Sequence, residues 1–274
     1  MALPSPESGV PVVVTGASAG IGEALARELA SRGHDLLLVA RRRGELRALA
    51  KDLRDRDGVA VDIRPADLAD AEQRRALADE LAGMELAGLC NNAGIGSFGP
   101  YVETERERLA ALVQLNVAGV NDVMAAVLPG MVERGAGAVL NLASILGHGP
   151  QPHNAAYGAT KAFILTLSEA VHAELAGTGV SVTALSPGPV RTGIYEQSAA
   201  EEIEGLGGPL FWQDADEVAR AGVEAMERGA RSVVPGLTNL LAAAGSRFLP
   251  RTVTLPIETA LGAAVPELRK RFGL

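Results

Sequence analysis

Three side chains stand at intervals that suit proton transfer: Ser144, Tyr157 thirteen residues later, and Lys161 four residues after that. Tyr157 and Lys161, at i and i+4, share one face of any helix that carries them. A lysine ammonium near a phenol favours the phenolate and lowers the phenol's pKa. A phenol tuned this way can give a proton to a carbonyl oxygen, or take one from an alcohol, near neutral pH. Ser144 can hydrogen-bond that same oxygen. Each residue taken alone also has an ordinary use, as a turn cap, a half-buried packing residue and a solvated lysine.

Near the N-terminus the run Thr15-Gly16-Ala17-Ser18-Ala19-Gly20-Ile21-Gly22 follows an apolar segment. Glycines permit a tight turn and let a pyrophosphate approach the backbone, while the following helix offers free N–H groups and a partial positive charge. The spacing is G-x-x-x-G-x-G rather than the general dinucleotide fingerprint G-x-G-x-x-G. A glycine-rich turn with no ligand fits the same residues. The next apolar run ends in Val39-Ala40 and continues Arg41-Arg42-Arg43. NAD-specific proteins usually place an acidic residue there, on the ribose hydroxyls. Arginine forks instead match a phosphate dianion, which points to NADP(H). Ser18 and Arg41 are the first candidates for the 2′-phosphate, with Arg42 in support.

These residues need a scaffold, and the chain alternates short β-branched runs with helical spacing. The pattern predicts strands at Pro11 to Thr15, Asp35 to Ala40, Val59 to Arg64, Leu86 to Asn91, Ala138 to Ala143 and Val180 to Leu185. Helices are expected at Gly20 to Ser31, Gly44 to Asp57, Ala71 to Leu81, Glu105 to Arg134 with a break near Gly119 or Pro129, and Asn154 to Ala176. Such alternation implies an α/β fold: one Rossmann-type doubly wound parallel sheet with helices on both faces. Beyond Pro187 the reading is a flap over Glu196 to Trp212, a helix over Asp216 to Arg228 capped by Asp214 or Asp216, and an edge strand at Arg231 to Pro235. No linker, repeat or internal boundary is visible. One domain over 1–274 is expected, with its core at about 10–235 and an appendage at 236–274.

Of the 274 residues 47% are hydrophobic and 21% charged, which excludes a disordered chain and supplies a large core. Acidic residues outnumber basic ones by 33 to 25, a formal charge of -8, the opposite of the balance expected in a nucleic-acid binder. One cysteine excludes an intramolecular disulfide, and the four histidines show no metal-ligand spacing, so no metal is expected. No uninterrupted apolar run approaches the ~18–20 residues of a spanning helix. Met1 to Gly9 carries no basic residue and does not read as a signal peptide. A cytoplasmic protein with no expected membrane contact follows. Leu237 to Leu249 reads as a partner-packed surface or a pocket wall, a bilayer contact being the weaker alternative.

Together these segments resemble the short-chain dehydrogenase/reductase superfamily, over about Val12 to Pro235. Thr15 to Gly22 matches its cofactor turn, and Asp67-Leu68 its adenine contact after the third strand. Asn91-Asn92-Ala93-Gly94 matches the signature after the fourth strand, and Asn116 in Leu115-Asn116-Val117 the asparagine of the fourth helix. Ser144, Tyr157 and Lys161 complete the tetrad, and Pro187-Gly188-Pro189-Val190-Arg191-Thr192 matches P-G-x-V-x-T over the nicotinamide. The Ala-Arg-Arg opening of the second helix resembles an NADP-preferring bacterial subgroup of ketoacyl and general carbonyl reductases.

The resemblance implies a carbonyl reduction, or its reverse, with Tyr157 as general acid, Ser144 positioning the carbonyl, and Lys161 bonding the nicotinamide ribose. It implies that Asn116 holds a water linking Lys161 to solvent. Gly16, Ser18, Ala19, Gly20, Ile21 and Gly22 would cradle the pyrophosphate, with Arg41 and Arg42 beside it. Asn92, Ala93, Gly94, Pro187, Gly188, Val190 and Thr192 would complete the cofactor site. It also implies a homodimer or homotetramer built on the fourth and fifth helices, and a small-molecule substrate. A cofactor-binding sensor or scaffold without turnover is the alternative; loss of the tyrosine or lysine would favour it, and both are present. Tyr195, Leu206, Leu210, Phe211 and Trp212 suggest an apolar substrate.

Overall fold

The strands form where consecutive residues can all be buried. The structure, a computed structural model, describes residues 2–7, 9–191 and 212–260. Strands β1 (Val12–Thr15), β2 (Leu36–Ala40), β4 (Gly88–Asn91), β5 (Gly137–Leu142) and β6 (Val180–Leu185) are buried at every position. Side chains alternate across a strand. Val12 and Val14 therefore pack with Leu36 and Leu38 on one face, and Val13 with Leu37 and Val39 on the other. A continuous apolar run of this kind is the pattern of a parallel sheet covered on both sides.

With β3 (Val61–Pro65) and β7 (Ser232–Val233) the sheet has seven parallel strands in the order β3-β2-β1-β4-β5-β6-β7. This is the Rossmann-type α/β architecture expected. The order reverses between β1 and β4, so their carboxyl ends open the crevice where such sheets bind ligands. Helices α1 (Gly20–Ser31), α2 (Arg43–Asp57) and α7 (Ala215–Glu227) cover one face. Helices α3 (Ala71–Ala82), α5 (Val120–Arg134) and α6 (Ala155–Glu174) cover the other. Asp70 caps α3 by accepting from the N–H groups of Glu72 at 3.0 Å and Gln73 at 2.9 Å.

The long helix departs from the expected break. Helix α4 (Arg106–Leu112) runs through a π-helical turn, Val113–Gly119, directly into α5, without interruption at Gly119 or Pro129. Pro129 and Ala125 lie on the exposed side, where water can reach the carbonyl that proline leaves without a donor. By length and mean hydropathy the stretch Arg106–Arg134 is long and apolar enough to cross a membrane. In the fold its Val120, Val123, Met124, Val127 and Met131 are buried, and those from Val123 onward join the core beneath the sheet.

Further on, Asp214 occupies the N-cap of α7, but its carboxylate takes Arg191 Nη1 at 3.1 Å instead of a helix N–H. The edge strand is only two residues long. The appendage contains helix α8 (Leu237–Phe248) and a further helix over residues 251–260. Thr192 and the flap up to Phe211 lie outside the described residues.

Candidate active site

The turn after β1 is held open by its own backbone. Gly16 (φ 67°) and Gly20 (φ 58°) adopt the left-handed conformation that favours glycine. At Gly22 a side chain would overlap the carbonyl oxygen of Gly16, so only glycine lets α1 pack this close. Asn92 Nδ2 donates to Thr15 O at 2.9 Å and Gly16 O at 3.3 Å. The Thr15 hydroxyl accepts from the N–H groups of Asn92 and Ala93, each at 3.0 Å. The ends of β1 and β4 are thus tied into one rigid cradle. Ala19 at the N-cap of α1 supplies no side-chain bond, which leaves the first N–H groups of the helix facing the groove.

That groove is a cavity of roughly 450 Å³ lined by Gly16, Ser18, Ala19, Gly20, Ile21, Arg41, Arg42, Asp67, Leu68, Asn92, Ala93 and Gly94, among others. Arg42 is the arginine that reaches the turn: Nη2 lies 3.1 Å from Ser18 Oγ and 3.0 Å from Ser18 O. Arg41 leans the other way, 3.8 Å from Asp67 Oδ2. The expectation put Arg41 first on the 2′-phosphate with Arg42 in support; here Arg42 is the one in contact with Ser18. Asp67 Oδ1 accepts from Ala69 N at 3.0 Å, which shapes the loop, and Arg74 Nη1 donates to Leu68 O at 2.9 Å. Arg74 is buried beside Asp122 and bridges that loop to α5, a role no spacing in the sequence marks.

A second cavity of about 100 Å³ adjoins the first and shares Ile21, Asn92, Gly94 and Ile95 with it. Its walls carry Ser144, Tyr157 and Lys161, with Leu142, Ile145, Leu146, Pro187, Gly188 and Val190. Helix α6 brings Tyr157 and Lys161 together, and Lys161 Nζ sits 5.7 Å from the centre of the Tyr157 ring. Lys161 is buried, and burial pushes its pKa down to about 8. Nζ donates to Leu142 O at 2.6 Å. Ser144 starts a 3₁₀ turn, Ile145–Gly147, and its Oγ accepts from Leu146 N at 3.2 Å. The cap and the cavity wall are therefore the same residue.

Asn116 sits in the π-helical turn and is fully buried. Its Oδ1 accepts from Ile95 N at 3.0 Å, and its Nδ2 donates to Ile95 O at 2.9 Å and Thr160 Oγ1 at 3.1 Å. Thr160 Oγ1 in turn donates to Tyr157 O at 2.8 Å. The Asn116 side chain thus grips the cavity wall and the helix bearing Tyr157. π-Turns of this kind recur at functional sites.

Two further residues support the Pro187–Arg191 loop and were not visible in the sequence. Gln213 Oε1 accepts from Gly188 N at 3.2 Å, and its backbone bonds Pro189 O at 3.0 Å and Arg191 N at 3.1 Å. Asn239, on α8, packs so closely on Gly188 that a side chain there would overlap it. Of the intervening histidines, His153 stacks on Phe98 with centroids 6.5 Å apart. His148 is held below the usual imidazole range by burial and by Arg247. Neither lines the two cavities.

A sequence model of the short chain dehydrogenase family matches residues 11–203. A short-chain dehydrogenase from Sphingobium yanoikuyae, solved in complex with NADPH, is 36% identical and superimposes with a TM-score of 0.78, covering 87% of this chain and 93% of its own. The bulky-bulky ketone specific alcohol dehydrogenase from Comamonas testosteroni is 31% identical, with a TM-score of 0.74 over 84% of this chain and 88% of its own. The inactive hydroxysteroid dehydrogenase-like protein 1 of Homo sapiens is 37% identical over 195 residues, 68% of this chain and 57% of that protein.

Proposed function

The chain belongs to the short-chain dehydrogenase family, and on that premise we propose that it is an NADPH-dependent reductase of an apolar carbonyl compound, also able to run in reverse. The observation that carries this reading is the joining of two cavities: a glycine cradle with paired arginines opens into a pocket walled by Ser144, Tyr157 and Lys161. The first cavity falls in the ~300–1,000 Å³ range of small-molecule sites. Bound there, the dinucleotide would supply the hydride. The bare first turn of α1 and the backbone from Gly16 to Gly22 suit its pyrophosphate. Ser18 with Arg42, and Arg41 at the rim, suit a 2′-phosphate. Asp67 and Leu68 suit the adenine, and Asn92 to Gly94 line the passage to the second cavity. Pro187, Gly188 and Val190 wall the nicotinamide end, and Thr192 follows them in sequence.

In the reduction Tyr157 gives its proton to the carbonyl oxygen as negative charge builds there. Ser144 keeps its hydroxyl hydrogen for that oxygen, because its lone pair already serves Leu146 N. Lys161 stabilises the phenolate left behind and keeps two N–H donors, beyond the one on Leu142 O, for ribose hydroxyls. Asn116 holds Ile95 and Thr160 and thereby the orientation of Tyr157. The apolar lining from Ile95, Leu142, Ile145 and Leu146 favours a ketone or 3-oxoacyl group over a charged aldehyde. The NADPH-bound relative and the ketone-specific one support the same reading.

The inactive human relative gives a specific ground for a second reading, a cofactor-binding protein without turnover. Against it stand Tyr157 and Lys161, both in place on the cavity wall. The deciding experiment is NADPH oxidation over a panel of apolar ketones: turnover supports the reductase, while tight NADPH binding with no turnover on any ketone supports the sensor. Exposed Val113, Val132 and Phe163 on α4–α6 suit a homodimer or homotetramer, checked by light scattering.

A further inference from the structure

We propose that Arg74, which lines neither cavity, is a positioning residue for the adenosine end of the dinucleotide: its guanidinium fixes the Asp67–Leu68 wall of the first cavity against the π-helical turn. The proposal rests on the reading of that cavity as a dinucleotide site.

Among the described residues Arg74 is the one buried arginine, with 6% of its surface exposed. It stands on α3, and its partners come from three other segments. Nη1 donates to Leu68 O at 2.9 Å, in the loop after β3. Nη2 donates to Gln114 Oε1 at 3.3 Å, in the π-helical turn Val113–Gly119. Nε donates to Asp122 Oδ2 at 2.7 Å, on α5. The loop and the turn lie against each other at this point: a Cβ on Gly119 would sit 3.7 Å from Leu68 O. Both segments supply walls of the first cavity, Asp67 and Leu68 from one and Leu115 from the other.

Holding α3 on α5 does not need this residue. Leu77 and Leu81 already share one apolar cluster with Val123, Val127 and Met131. A buried ion pair adds little stability, because lost hydration offsets the attraction, and apolar side chains of similar size often serve as well. What a guanidinium adds is direction. Its planar fork carries five N–H groups in fixed geometry, so it can hold several oxygens at defined places, as the single ammonium of a lysine cannot. Here one prong is aimed at Leu68 O. The preceding residue is tied from the same end of α3: Gln73 Oε1 accepts from Asp67 N at 3.0 Å, and Asp70 N donates to Asp67 O at 3.1 Å. Asp70 and Gln73 set the backbone at Asp67, and Arg74 sets it at Leu68. The adenosine wall is thus held by a helix none of whose residues lines either cavity. The reacting end has its own clamp, Asn116 on Ile95 and Thr160. Loss of Arg74 should therefore be felt at the adenosine end alone.

Calorimetric titration of the full-length protein with adenosine 2′,5′-bisphosphate, which has the adenosine end and no nicotinamide, tests this without turnover. Arg74→Met should weaken binding by about 10-fold, the worth of one hydrogen bond, at unchanged stoichiometry. Arg74→Lys keeps a donor for Leu68 O but loses the fork, and should recover part of that loss. Where Arg74→Met does not fold, a loss in Arg74→Lys supports the proposal and its absence overturns it. With a ketone that turns over, KM for NADPH should rise in Arg74→Met by the same factor. Under the same conditions kcat/KM with reduced nicotinamide mononucleotide, which has no adenosine to place, should keep its wild-type value. An equal loss on the truncated nucleotide would reveal a general effect on the fold and overturn the proposal. So would a bisphosphate affinity that Arg74→Met leaves unchanged. No bisphosphate binding by the wild-type protein would overturn the dinucleotide reading, and this proposal with it.

Discussion

At the arginine end of the groove the charged side chains lie in the open: Arg41 is 69% exposed and Arg42 52%. At the reacting end Lys161 is 4% exposed, wedged between Leu142 O and the ring of Tyr157. The exposed arginines remain hydrated and cost the fold little, and water would screen any contact they make with a ligand. The buried lysine is held against the preference of an ammonium for water, which is why its pKa falls to about 8. In the proposed function, recognition would thus fall to groups the fold scarcely notices, and chemistry to a group the fold carries at some expense.

Substitutions at the two ends should therefore differ in kind. The largest effect is expected at Tyr157. Tyr157→Phe keeps the ring and removes the proposed proton donor, so turnover should fall by at least ~10²–10⁴-fold, the usual worth of general acid–base catalysis. NADPH affinity should hardly move, and Ser144→Ala should be milder. Steady-state ketone reduction beside a fluorescence titration of NADPH reads both. Near-wild-type turnover in Tyr157→Phe would remove the mechanism while leaving the fold intact.

Lys161→Met tests the burial side of the comparison. Turnover and NADPH affinity should both drop, yet the free protein should gain stability. In the fold Lys161 titrates near 8, against an ordinary 10.5, so the unfolded chain binds more protons between those values and stability rises with pH there. The penalty is complete below pH 8 and fades toward 10.5. The variant's advantage should accordingly be greatest below pH 8, of order 1–3 kcal/mol after the lost bond to Leu142 O, and shrink by pH 10.5. Urea melts across that range measure it. The same titration predicts that kcat/KM for reduction declines as pH rises through about 8, when the free enzyme loses this cation.

The smallest effects belong to the open end. Arg42→Ala should weaken NADPH by about 10-fold, Arg41→Ala by less, and neither should change the affinity for NADH. Arg41→Asp should erode the preference further by repelling the 2′-phosphate. Equal wild-type affinity for both nucleotides would show that these arginines are only a solvated helix start. A larger loss in Arg41→Ala than in Arg42→Ala would mean that the contact of Arg42 with Ser18 gives way when the nucleotide binds.

Much of this was legible because local rules govern it. Helix α1 and strand β2 begin and end close to where glycine and apolar spacing place them, since a buried parallel strand favours an unbroken apolar run such as Leu36–Ala40. The i, i+4 spacing of Tyr157 and Lys161 already put them on one helical face. The long helix was misjudged at Gly119 and Pro129 because propensity penalises a proline locally, whereas burial of Val123, Val127 and Met131 holds the whole rod. Which of the two arginines meets Ser18 was not legible, because adjacent residues at a strand end point to different sides, and only the fold sets which side faces Ser18.

The sequence by itself determined the alternating α/β pattern, the glycine turn, and the set of side chains able to move a proton. Those depend on residue type and on spacing over a few positions. Only the tertiary structure decided that Asn116 clamps Ile95 and Thr160, that Gln213 and Asn239 brace the loop at Gly188, and that Arg74 bridges the Asp67–Leu68 loop to α5. It also decided that α8 turns its leucines outward. The contacts among these join segments distant in the chain, made because buried polar groups must find partners wherever the folded backbone brings them.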